Sequence, residues 1–275
     1  MILKKLLIFL GAASLVGLGQ FFFFATPVIP SLEYSVFQIF QIPALESNWH
    51  YGLLMLFSFV PVFVLSFDKK VHYYTHWRSL VPGIILIALW FILWDVLFTL
   101  KGVWGFNPGY YGSISLFGLP IEECLFFIVV PFCCYFLFAC LNAYLPTDKL
   151  IDWDKRISLG LGGIFILLGI VHLAKAYTGA TFLLTGMFMI WHYYSFPNQV
   201  RTRLYRAYAL CLIPFLLVDG SLTGLFTDQP VVLYNPEEFL KIRIGSIPIE
   251  DAVYGFLLVG LVTTAREGFE EFFKK

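Results

Sequence analysis

The sequence predicts an all-α integral membrane protein: a single bundle, residues 1–275, of about eight transmembrane helices in two parallel pseudo-repeats. Three observations predict it. The chain is 59% hydrophobic, 19% aromatic and only 13% charged, against roughly 25% charged in a soluble domain. Apolar runs of about spanning length recur along it. A Pro-Ile-acid-acid step opens two of those runs, at Pro120-Ile121-Glu122-Glu123 and at Pro248-Ile249-Glu250-Asp251. Net charge is zero, so nothing points to nucleic acid.

The runs place helices at Leu6–Phe24, Trp49–Phe67, Leu80–Leu100, Leu119–Leu141, Ile157–Tyr177, Thr181–Phe196, Ala207–Phe226 and Ile247–Thr264. The first follows Lys4-Lys5, as a signal peptide would. Its apolar stretch is longer than the roughly 7–15 residues of a signal core, and no small-x-small site follows, so a retained helix is expected. The sixth is short and expected to press against the fifth. Cys124, Cys133, Cys134, Cys140 and Cys211 all lie in apolar runs and read as small buried hydrophobes.

Lys and Arg set orientation. With the N-terminus inside, fourteen of them fall in inside segments, and only Lys101, Lys175, Lys241 and Arg243 fall outside. A multi-pass protein with both termini in the cytoplasm is therefore expected.

The chain repeats itself. Asn107-Pro108 stands 13 residues before Pro120, and Asn235-Pro236 stands 13 before Pro248. The period, 248 − 120, is 128 residues. It carries a first unit, residues 49–141, onto a second, residues 181–264. Trp94-Asp95 and Val218-Asp219 match at a shift of 124, so the second unit has the longer loop. Equivalent helices are four apart, an even number, so both acid pairs are expected at the same, non-cytoplasmic end.

A proline and acids in a first turn suit any helix N-terminus. Capping needs only one acid, however, and does not need Asp95 or Asp219 upstream. Carboxylates inside membrane spans are costly and mark candidate sites. Paired carboxyls in a low dielectric do not both ionise, so one can hold a proton and act as a general acid. Neighbouring helix residues point about 100° apart, so one acid of each pair would face a common pocket and the other would orient it. Trp94, Phe126, Phe127 and Tyr254 are candidates to line such a pocket, where ring faces can stabilise a cation. His72-x-x-x-His76 is a single cluster, and Gly160-Leu161-Gly162-Gly163 lies inside an apolar run with no strand before it. No cofactor and no metal are expected.

The pattern Trp94-Asp95, Pro120-Ile121-Glu122-Glu123 with Phe126-Phe127, then Asp219 and Pro248-Ile249-Glu250-Asp251, resembles the heterodimer-type lycopene cyclases. It looks like the fused two-repeat form and is similar to the cyclase part of the fungal cyclase/phytoene synthase. The likeness covers roughly Trp49–Thr264. It departs at Val218, Asp251 and Tyr254-Gly255, where the first unit has Trp94, Glu123 and Phe126-Phe127. The resemblance implies a lycopene β-cyclase, an intramolecular lyase or isomerase of carotenoid biosynthesis. Its substrate would be lipid-soluble lycopene, cyclised by protonation with no net redox change. Glu122 and Glu250 would be the principal acids, Glu123 and Asp251 their partners or bases, and Asp95 and Asp219 orienting groups. Membrane lipids are the other expected partners, and homo-oligomers are left open. The rival reading from the residues is a small proton-coupled transporter.

Overall fold

The computed structural model describes residues 1–25, 31–34 and 37–275. Among these, eight α-helices run in the expected order. They are α1 (Ile2–Gly19, continued by a π turn over Gln20–Phe24), α2 (His50–Leu65), α3 (Trp77–Lys101), α4 (Ile121–Tyr144), α5 (Gly162–Val171, after a π segment over Arg156–Leu161), α6 (Ala176–Ser195), α7 (Asn198–Leu222) and α8 (Ile249–Phe273). By length and composition four segments could cross a membrane: Ile2–Phe24, Tyr73–Lys101, Ile121–Tyr144 and Asn198–Leu222. His50–Leu65 and Arg156–Val171 are apolar but shorter.

The helix ends that depart furthest from expectation lie in α6, α7 and α8. Tyr177 belongs to α6, not to the fifth helix, because Glu238 caps α6 one residue earlier: its Oε2 accepts the Ala176 N–H at 2.5 Å. α7 starts at Asn198 rather than Ala207, and Arg201 near its start is buried in an ion pair with Asp154 at 2.5 Å. α8 runs on to Phe273, where Arg266, Glu270 and Lys274 pair at helical spacing and solvate its last turns.

Six short strands lie in the loops at one end. They are β1 (Trp104–Phe106), β2 (Ser115–Leu116), β3 (Leu119–Pro120), β4 (Val232–Tyr234), β5 (Arg243–Ile244) and β6 (Ile247–Pro248). β1 and β4 pair antiparallel, with Trp104 opposite Tyr234, Gly105 opposite Leu233 and Phe106 opposite Val232. Add 128 to each member of β1 and the register maps onto itself about the Gly105–Leu233 pair. The flanking bonds obey the same rule: Asn107 N–H to Val231 O at 2.8 Å, and Asn235 N–H to Val103 O at 2.9 Å. The two loops therefore meet at one end of the bundle, related by a local two-fold axis.

A hairpin feeds each acid-bearing helix. β2 and β3 turn through Phe117 and Gly118, both at positive φ, and β5 and β6 through Gly245 and Ser246, with Gly245 at φ 64°. Positive φ at both turn residues makes the first a type I′ hairpin; glycine alone at the first position suits type II′. Pro120 and Pro248 then stand at the N-caps of α4 and α8, which puts the four acids in their first turns. The main core lies between α1, α3, α4, α6 and α8, around Phe91, Phe127, Phe188 and Leu258.

Candidate active site

Each unit anchors the start of its first helix on the loop after its second. The Tyr110 carbonyl accepts the Tyr51 N–H at 3.0 Å. The Glu238 carbonyl, 128 residues on, accepts those of Tyr177 and Thr178 at 3.2 and 3.3 Å. Asn107 Oδ1 and Asn235 Oδ1 each accept the N–H two residues ahead at 3.1 Å, so both asparagines form turns. This framework brings Tyr51 and Tyr177 over the acid ends of α4 and α8.

All six expected carboxylates are buried at this end, and they divide into two sets. Glu122 and Glu250 turn toward their loops. Glu122 Oε1 accepts the Gly112 N–H at 2.9 Å, and Glu250 Oε1 accepts the Leu240 N–H at 2.8 Å. These are equivalent bonds, 128 residues apart. Thr178 Oγ1 also donates to Glu250 Oε1 at 2.6 Å. Glu123 and Asp251 instead face inward. Tyr51 Oη donates to Glu123 Oε2 at 2.7 Å. Asp251 is clamped from both sides, by Tyr177 Oη on Oδ1 and by Tyr234 Oη on Oδ2 at 2.8 Å. In Tyr234, on the loop strand, burial and then the Asp251 and Asp219 carboxylates push the phenol well above its ordinary range, so it stays a donor.

The upstream aspartates also part company. Asp95 Oδ1 accepts the Trp104 indole N–H at 2.5 Å, so it sits behind that ring. Asp219 reaches Asp251 within hydrogen-bonding range, while its Oδ2 has no donor among the described residues. Two carboxylates are both acceptors and bond only when one carries a proton.

Glu123, Asp219 and Asp251 share a cavity of about 70 Å³ with Tyr51, Tyr177, Tyr234, Tyr254, Trp104, Phe126 and Phe127. The Tyr254 hydroxyl is buried and has no hydrogen-bond partner among the described residues. The Tyr177 and Tyr234 rings stack at 6.0 Å, and Trp104 and Tyr177 meet in a T-shape at 5.1 Å. The arrangement offers protonatable carboxyls, phenol donors that hold them, and aromatic rings around one enclosed space.

Of the sequence-derived candidates, the cavity gathers Glu123, Asp251, Asp219, Phe126, Phe127 and Tyr254. It does not gather Glu122, Glu250 or Asp95. Trp94 lies elsewhere, packed against Gly17 of α1 and lining a smaller cavity of about 20 Å³. The residues that sequence reasoning missed are Tyr51 and Tyr177. The available signal was a tyrosine near the start of the first helix in each unit. Their spacing, 177 − 51, is 126 residues, so a comparison at 128 passes over them.

A family model described as lycopene cyclase matches residues 48–141 and 174–269. No curated protein and no solved structure matches the chain. The family match covers more than half of the sequence, and the chain belongs to the lycopene cyclase family.

Proposed function

We propose that the chain is a lycopene β-cyclase that closes the acyclic end groups of lycopene by proton transfer between buried carboxyls, without redox chemistry. The observation that carries this is one aromatic cavity lined by Glu123, Asp219 and Asp251, in which Asp219 and Asp251 lie within hydrogen-bonding range. A proton shared by that pair is available to an apolar substrate from which water is kept out.

The proton adds to the terminal carbon–carbon double bond and leaves a tertiary cation. The next double bond attacks it, forming the ring bond and moving the charge to a ring carbon. Loss of a proton from the ring carbon that bears the chain gives a β ring. One proton enters and one leaves, so the step is an isomerisation. In this reading the Asp219–Asp251 pair donates and Glu123, held by Tyr51, accepts. The faces of Trp104, Phe126 and Phe127 attract the cation. In this reading Glu122 and Glu250, the principal acids expected from sequence, hold the loops, because one oxygen of each accepts a backbone N–H and neither residue lines the cavity. Asp95 acts by fixing Trp104.

The bundle would lie in the membrane with its acid end on the non-cytoplasmic side and both termini in the cytoplasm, as the excess of Lys and Arg at the other end favours. A cavity of about 70 Å³ has room for about two waters at roughly 30 Å³ each, so its walls part when an end group enters.

The test is expression in lycopene-accumulating cells with chromatography of the pigments, followed by conversion of unlabelled lycopene by the purified protein in liposomes in deuterated water. Ring-containing products carrying one deuterium per ring are expected. Persistence of lycopene in cells that accumulate the protein in their membranes would overturn the proposal.

A further inference from the structure

We propose that the trough between α2 and α7 is the seat of the linear polyene chain, and that the chain enters it from the lipid; this rests on the cyclase reading above. α2 and α7 are joined at their acid ends by a hydrogen bond between His50 Nε2 and Ser221 Oγ, 3.1 Å long. Below it they leave an open space of about 680 Å³ walled by Leu53, Leu56, Phe57, Val60, Leu217 and Val218. From His50 to Pro61 the trough follows eleven residues of α2, about 16 Å at 1.5 Å per residue. His50 and Ser221 are its polar residues, bonded to each other, with His50 Nδ1 buried and without a partner among the described residues.

Two observations choose the occupant. The first is continuity with the acids. Val218 precedes Asp219, His50 precedes Tyr51 and Ser221 precedes Leu222; the second member of each pair lines the acid cavity and the first lines the trough. Leu54 and Val218 close the wall between them, packed on Tyr51 and Leu222. A polyene lying in the trough thus brings one end to that wall, beside Asp219.

The second is the fate of the equivalent gap. At the shift of 126 that relates Tyr51 to Tyr177, Leu54 corresponds to Ala180, and shifting Val218 back by 124 gives Trp94. Both line the cavity of about 20 Å³ between α3 and α6. There α1 fills the space. A Cβ added at Gly17 would stand 2.3 Å from the Trp94 ring. Ser14 Oγ accepts the Trp90 indole N–H at 2.9 Å, and Phe21 stacks on Phe98 at 5.5 Å. The same gap in the other half therefore takes an elongated apolar body. α5, the helix in the corresponding chain position, leaves the α2–α7 trough empty and packs on α6 instead, where a Cβ at Gly186 would stand 2.6 Å from the Gly162 carbonyl. With one trough open and one sealed, the two ends of a polyene are cyclised one at a time.

The experiment fills the trough. Leu53→Trp and Val60→Trp are compared with wild type and with Leu89→Trp, an exposed position on α3, in liposomes containing lycopene. Both trough variants should lose at least tenfold in rate at low lycopene, with partial recovery at high lycopene, while Leu89→Trp matches wild type. Monocyclic product should precede bicyclic product. Trough variants that cyclise at the wild-type rate overturn the assignment while leaving the reaction intact; phospholipid retained by the purified protein would then identify a lipid tail as the occupant. A wild type that leaves lycopene unchanged overturns the proposed reaction, and the trough assignment with it. Should a trough variant fail to accumulate, Leu56→p-benzoylphenylalanine is irradiated with radiolabelled lycopene. Labelled protein supports the proposal and unlabelled protein overturns it.

Discussion

The two halves share a scaffold and differ in how they hold their acids. In the first, Glu123 has one phenol donor and Asp95 is turned away behind Trp104. In the second, Asp251 has two phenol donors and faces Asp219. The loops repeat to the residue: the ribbon register, the asparagine turns and the N–H groups on Glu122 and Glu250 all recur at 128. Side chains that touch the cavity do not. Symmetry is thus kept where the loops must be positioned and given up where the chemistry would occur.

The sharpest way to break this comparison is to neutralise equivalent acids. Asp251→Asn and Asp219→Asn should each lower ring formation by about 10²–10⁴-fold, the usual value of a positioned acid or base, whereas Asp95→Asn, at the position equivalent to Asp219, should cost about tenfold or less. Pigment chromatography at matched protein levels reads all three, and equal losses would mean that the halves are chemically equivalent. Next come the phenols. A hydrogen bond to a charged group is worth about 1.5–3 kcal/mol, so Tyr177→Phe and Tyr51→Phe should each slow conversion by about 10–100-fold. Glu250→Gln and Glu122→Gln should leave most of the activity and lower the thermal unfolding midpoint of the detergent-solubilised protein. Glu250→Gln should lower it more, because Thr178 also bonds that carboxylate. A loss of activity as large as that of Asp251→Asn would return Glu250 to the principal-acid role.

The smallest effect belongs to the hairpins. Phe117 sits at φ 55° where the second unit has Gly245 at φ 64°. A non-glycine residue there carries about 1–2 kcal/mol of strain, so Phe117→Gly should raise the unfolding midpoint slightly. Gly245→Ala should lower it, since the new Cβ would also stand 3.0 Å from Leu225. Opposite signs at equivalent positions would mark the turns as structural and not catalytic.

Much of this was legible in the sequence. Apolar run length located all eight helices, and the doubled Pro-Ile-acid-acid step located the acid end. Which acid of each pair faces inward was not legible. That depends on the entry angle of α4 and α8, which the hairpins set, and on which backbone N–H groups the loops present. Tyr51 and Tyr177 escaped because α6 starts two residues out of register with α2, a shift fixed by Glu238 at its cap. Trp94 packs on α1, which lies outside the repeat, so no internal comparison could reveal the contact.

α5 gives the plan a reading in terms of descent. A unit of three helices is odd. α2 begins at the acid end, α4 finishes at the far end, and α6 must begin again beside the acids. α5 is the return stroke that makes this possible, as α1 is for the first unit. Each half is then a four-helix polypeptide of one design, and the self-mapping β1–β4 ribbon has the form of an isologous dimer contact. Two copies joined head to tail through residues 145–155 would reach this topology with no new element. In such a fusion the halves are free to differ: α1 lies in its gap, and α5 packs on α6.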